Sequence, residues 1–158
     1  MFVFNVRVTA PKKTAFIIAS ATVVIAIICI ICMVSMHKAM VPNSATCDEI
    51  GTFSLCANTS DEQCRFLEQF GLSADKNSVK SQTVTIPSTF NSTYEQYNQI
   101  QKKIGLDLCR YSGKSVKKIT YMLKNSSAQY AVLLIYNGKV IGAHLTNGEY
   151  GQSDLPLV

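Results

Sequence analysis

The chain's 158 residues allow one ordinary domain plus an anchor. A net charge of +5 would suit a polyanion-binding surface, but Arg7, Lys12, Lys13 and Lys38 all flank one hydrophobic stretch, and no acid precedes Asp48. Taking those four from the fifteen basic residues leaves eleven against ten acids, so the excess reports topology and argues against nucleic-acid binding.

Residues 14–36 read TAFIIASATVVIAIICIICMVSM, 23 residues without a charge. As a helix the run is roughly 34 Å long, against a hydrocarbon core of about 30 Å. A buried soluble helix of this length would carry a polar stripe, and this one is apolar all round. A cleaved signal peptide would have a shorter apolar region, about 7–15 residues, ending in a small-x-small site. The flank His37-Lys38-Ala39-Met40-Val41-Pro42 offers no clean one. The expectation is an uncleaved single-pass anchor, in contact with membrane lipid through residues 14–36. Arg7, Lys12 and Lys13 before the span outweigh Lys38 after it, which places residues 1–13 in the cytoplasm and residues 37–158 outside. Cys29 and Cys32 are then small apolar residues of the span. Cys47, Cys56, Cys64 and Cys109 lie outside, where an oxidising compartment permits disulfides in any of three pairings. Their spacings lack a CxxC pair, so no metal site is expected.

Residues 37–58, with Pro42, Asn43, Ser44, Gly51 and Thr52 and weak periodicity, read as a linker or stalk. The extracytoplasmic domain is expected over residues 59–158. Ser60-Asp61-Glu62-Gln63 resembles a helix start, with Ser60 as cap and Gln63 three residues on. Phe66, Leu67 and Phe70 supply the apolar face, and Gly71 is placed to end the helix. Residues 79–87 read as a short strand stopped by Pro87. A second helix begins near Asn91 or Ser92, because Tyr94, Tyr97, Ile100, Gln101 and Ile104 share one face of a 3.6-residue repeat. Three strands follow, over about residues 115–124, 129–136 and 139–146. The last two are joined by Asn137-Gly138, the strongest two-residue hairpin signal. The alternation of Ile119, Tyr121 and Leu123, of Tyr130, Val132, Leu134 and Tyr136, and of Ile141, Ala143 and Leu145 gives the sheet one apolar face. The fold class is therefore α+β: two helices packed on one face of a mostly antiparallel sheet of about four strands, in two layers.

Several ordered blocks carry a family likeness. They are Phe66-Leu67-Glu68-Gln69-Phe70-Gly71, Val84-Thr85-Ile86-Pro87, Tyr94-Glu95-Gln96-Tyr97-Asn98-Gln99-Ile100-Gln101-Lys102 and Gly105-Leu106-Asp107-Leu108. Tyr111-Ser112-Gly113-Lys114, Thr120-Tyr121 and Leu133-Leu134-Ile135-Tyr136-Asn137-Gly138-Lys139-Val140-Ile141-Gly142 complete the set. Together they resemble the bacterial family described as domain of unknown function 4830. The resemblance implies an N-terminal span and a small extracytoplasmic domain of a Gram-positive envelope, and it implies no chemistry. Leu72 stands where the family usually has an aromatic residue, and residues 149–158 match poorly.

Catalytic groups are sparse. His37 sits at the membrane edge, an ordinary interfacial position. His144 alternates against Ile141, Ala143 and Leu145 and is expected to face solvent. A Cys109–His144 dyad would supply a nucleophile and a base; a structural cysteine and a surface imidazole are the plainer reading. No Walker loop, dinucleotide glycine pattern, HExxH or GxSxG occurs, and no cofactor is expected. Lys102, Lys103, Arg110, Lys114, Lys117, Lys118 and Lys124 lie together in sequence against the single acid Asp107. They read first as a solvated face and second as a docking patch for an anionic surface, such as lipid headgroups, wall polymers or an acidic protein. The expected function is a non-enzymatic, membrane-tethered interaction or regulatory module of the envelope. The alternative is an envelope enzyme or thiol-redox protein using an outer cysteine, Cys109 first.

Overall fold

Alternating apolar residues and a hairpin turn with positive φ at both Asn137 (50°) and Gly138 (73°) build the centre of the domain. A computed structural model describes residues 24–28, 41–124, 126–148 and 153–158. Strands β1 (Ser44–Cys47) and β2 (Gly51–Ser54) form an antiparallel hairpin. Strands β3 (Lys80–Thr85), β4 (Ser115–Met122), β5 (Tyr130–Tyr136) and β6 (Lys139–Thr146) form an antiparallel sheet in that spatial order. Helix α1 (Ser60–Glu68) precedes β3, and helix α2 (Ser92–Lys103) lies between β3 and β4. The fold class is α+β, as expected. Residues 24–28 are helical, and the rest of the expected span lies outside the described residues. Among those described, no helix is long and apolar enough to cross a membrane.

The two-layer expectation is corrected to three layers, because both faces of the sheet are covered. One face carries Ile119, Tyr121, Ala131, Leu133 and Ile135 into a cluster with Phe66 and Leu67 of α1 and with Phe53 and Leu55. The other carries Val116, Leu134 and Ile141 into a second cluster with Ile86, Leu108 and Tyr111, against which Tyr94 and Tyr97 of α2 pack. β5 and β6 therefore read as near-continuous apolar runs, the mark of a strand buried on both sides.

The expected stalk is also corrected. Residues 44–57 belong to the domain: Cys47, Phe53, Leu55 and Ala57 are all buried in the first cluster. Short strands of four residues with Gly51 at the turn carry too little periodicity to stand out from a loop. The α1 cap sits one residue earlier than expected. Thr59 accepts the Glu62 amide at 3.2 Å, and the Glu62 carboxylate reaches back to the Asn58 amide at 2.6 Å. Asn91 caps α2 through the Tyr94 amide at 2.9 Å, as expected.

Buried amides tie the layers together. The Tyr121 hydroxyl donates to Gln63 Oε1 at 2.6 Å, and Gln63 Nε2 donates to the Ala57 carbonyl. Asn98 Oδ1 accepts the Leu108 amide at 2.9 Å, fixing the connector after α2. Gly105 ends that helix at φ +73°, and a Cβ there would run into the Thr46 carbonyl oxygen of β1. Gly105→Ala combines this clash with an unfavourable left-handed backbone, and is expected to destabilise the domain by at least about 1 kcal/mol in urea unfolding. An unchanged midpoint would mean that β1 is not held against the end of α2.

Candidate functional site

The two edges of the sheet are treated differently. Along β6, the outward Val140 amide donates to the Leu55 carbonyl at 2.9 Å, and the Leu145 amide to the Leu155 carbonyl at 2.8 Å. Between them the Ala143 amide donates to the buried Gln101 Oε1 at 2.6 Å. Backbone at both ends and a side-chain amide in the middle thus close this edge. On the opposite edge, β3 pairs only with β4 among the described residues. The Ile86 amide bonds inward to the Lys114 carbonyl, so by alternation Ser81, Thr83 and Thr85 point their backbone groups outward. Five of the six β3 residues are exposed.

The surroundings of this open edge are basic. Neither β3 nor β4 contains an acid, while Lys80, Lys117 and Lys118 lie on them and Lys114 adjoins them. The register sets Lys80 opposite Thr120 and Gln82 opposite Lys118 on the α2 face, with Thr83 opposite Lys117 on the α1 face. The seven basic residues expected as one patch are therefore divided. Lys117 and Lys118 fall on opposite faces because neighbours in a strand alternate. Lys102 and Lys103 occupy the last turn of α2, Arg110 a 3-10 turn, and Lys124 lies 3.8 Å from Asp75 beyond the far end of β4. What remains together is the group flanking β3.

His144 does not face solvent. It is 5% exposed, its Nδ1 lies 2.9 Å from the Tyr97 hydroxyl, and its Nε2 lies 3.6 Å from Asp154 Oδ1. Burial lowers its pKa to about 4, against the pull of Asp154 and with help from Lys118. Burial likewise raises the Tyr97 hydroxyl well above its ordinary value. The imidazole is buried because α2 covers the sheet face that alternation leaves to solvent.

Cys109 is exposed and has other company. The Asn98 side-chain amide donates to its sulfur at 3.3 Å, and Asp107 accepts its backbone amide at 3.0 Å. Desolvation and then the Asp107 carboxylate raise its pKa, the opposite of an activated thiol. His144 and Cys109 thus have separate partners, and no described contact joins them as a dyad. Cys47, Cys56, Cys64 and Cys109, for which the sequence leaves three pairings open, are all free thiols. Cys47 and Cys64 fill apolar core positions, and burial raises the Cys64 pKa.

Cys56 differs from the rest. It pairs with Lys139 in an isolated antiparallel bridge, and the Lys139 ammonium donates to its sulfur at 3.0 Å. That contact, with help from Ser54, lowers its pKa. The thiol lines an open cleft of about 560 Å³ together with Ser54, Glu62, Arg65, Glu68 and Gln69. Lys139 directly follows the hairpin turn, whereas Cys56 lies just past β2 in the stretch whose composition reads as a stalk. Among the described residues, no group of three or more His, Cys, Asp or Glu could hold a metal ion.

Residues 66–145 match the family model described as Domain of unknown function (DUF4830), just over half of the chain. The chain belongs to this family. The DUF4830 match begins within α1 and ends near the close of β6, so it takes in the open β3 edge, His144 and Lys139 but leaves out Cys56 and Asp154. No curated protein and no solved structure matches the chain.

Proposed function

We propose that the protein is a membrane-tethered interaction module of the cell envelope, whose extracytoplasmic domain takes an acidic, extended segment of a partner protein as an added strand on β3. The observation that carries this reading is the contrast between the two edges: β6 is closed by three separate amide hydrogen bonds, while β3 offers its outward backbone groups with no partner among the described residues. An exposed edge of this kind is a template for strand addition. Lys80 on this edge guards against indiscriminate pairing, and with Lys117 and Lys118 it favours a strand bearing carboxylates. The tether rests on the apolar run over residues 14–36 and its basic flank.

Thr83→Pro separates this reading from its rivals. The Thr83 amide points away from β4, so proline there removes an outward donor and leaves the β3–β4 ladder intact. Full-length protein in detergent is expected to bind acidic extended peptides with salt-sensitive affinity, weakened at least about tenfold by Thr83→Pro and by the Lys117→Glu, Lys118→Glu pair. Peptide binding indifferent to Thr83→Pro, or preferential binding to anionic lipid vesicles, would overturn the edge as the docking site. The exposed Cys109 supplies a topology test. A membrane-impermeant maleimide should label it in intact cells, and labelling only after lysis would refute the extracytoplasmic placement.

A further inference from the structure

We propose that Cys56, paired with Lys139 and lining the cleft between β2 and α1, is a thiol-exchange site that accepts small zwitterionic disulfides of the cystine type and becomes a mixed disulfide. Three features of the cleft point this way. The sulfur has an ammonium partner at 3.0 Å across an antiparallel bridge, so the thiolate has a fixed counter-charge. Arg65 and Glu68, one turn apart on α1, line the same cleft, and neither is in an ion pair with a described residue. Glu62, by contrast, is already engaged by the Asn58 amide and side chain, and Gln69 is engaged by both backbone groups of Ser54. The cleft thus holds one nucleophilic sulfur, one guanidinium for a carboxylate and one carboxylate for an ammonium group. An amino-acid disulfide carries that charge pair beside its S–S bond.

The step balances without a further oxidant. The Cys56 thiolate attacks one sulfur of the disulfide, a new S–S bond forms as the old one breaks, and the departing thiolate takes up the proton that Cys56 released. Cys56 is oxidised and half of the incoming disulfide is reduced. The Lys139 contact, which lowers the Cys56 pKa, adds to this geometry, since more of Cys56 is then thiolate than of Cys64 or Cys109, whose pKa values are raised.

Cys109 is the internal control. It is the more exposed thiol, so a reaction governed by access alone would modify it first. Full-length protein treated with cystine near pH 7 and analysed by mass spectrometry after digestion is expected to gain one cysteinyl adduct, at Cys56, at least about tenfold faster than at Cys109. Lys139→Met should slow modification of Cys56 by cystine and by the uncharged 2-hydroxyethyl disulfide alike. Arg65→Gln, on an exposed position where folding is not at stake, should slow the reaction with cystine only. Modification of Cys109 first would overturn the site. Equal effects of Arg65→Gln on both disulfides would overturn the recognition of a zwitterion.

Discussion

Replacing Phe53 with alanine is expected to destabilise the domain by about 3–5 kcal/mol, a large share of the roughly 5–15 kcal/mol that holds a domain together. Phe53 is 3% exposed, although it lies where composition alone suggests a stalk. Its ring meets Phe70 edge-on at a centroid distance of 5.0 Å and Phe66 at 6.1 Å, and Phe66 and Phe70 stand 5.3 Å apart. Truncation would remove the aromatic surface that β2 contributes to α1 and open a cavity between them. The measurement is urea unfolding of the full-length protein in detergent, followed by tyrosine signals because the chain has no tryptophan. A stalk residue would give a change near zero, so the same experiment decides whether β1 and β2 belong to the domain in solution. Combining Phe53→Ala with Phe66→Ala should show a coupling of about 0.5–1.5 kcal/mol beyond the separate losses, as expected for rings in contact.

How much was readable in the sequence follows from the length of each signal. Both helices, the four main strands and the Asn137-Gly138 turn were placed to within a few residues, because each had either a full period or a defined turn chemistry. Strands β1 and β2 escaped because four residues carry only two positions per face, and Thr46, Gly51 and Thr52 look like linker composition. The layer count was misread for a different reason. Alternation sets Leu134 and Ile141 on one apolar face with Ile119, Tyr121 and Leu123, yet Leu134 and Ile141 fall in the cluster that α2 covers and the other three in the cluster that α1 covers. His144 went wrong with them. The site residues were the least legible of all. Cys56 and Lys139 are 83 positions apart and are joined only by a bridge at the sheet edge. The open β3 edge is a property of which strands lack neighbours, and no local pattern encodes it.

The buried His144 should make the fold acid-sensitive before its carboxylates do. In the folded state its pKa is about 4, held down first by burial and also by Lys118, with Asp154 opposing. The unfolded chain titrates near 6.5. Between those values the unfolded chain binds a proton that the folded chain resists, so unfolding is favoured as pH falls. The stability is therefore intact above about pH 6.5, is lost progressively down to about pH 4, and amounts to about 3 kcal/mol over the whole window. Asp61, Glu62 and Asp107 have lowered pKa values and lose their contributions only at more acid pH, below the ordinary carboxylate range. The interval from about pH 6.5 to 5 thus isolates the imidazole. The groups facing His144 are Tyr97 from α2, Lys118 from β4 and Asp154 of the C-terminal segment, which the Leu145–Leu155 bridge holds to β6. His144→Gln keeps a polar group toward the Tyr97 hydroxyl and removes the titration. Its unfolding free energy should be lower at pH 7 but flat from pH 6.5 to 5, whereas the wild type should fall with a slope approaching about 1.4 kcal/mol per pH unit. A wild-type curve as flat as the variant's would mean that His144 takes up its proton as readily in the fold as in the unfolded chain, with Asp154 offsetting the cost of burial.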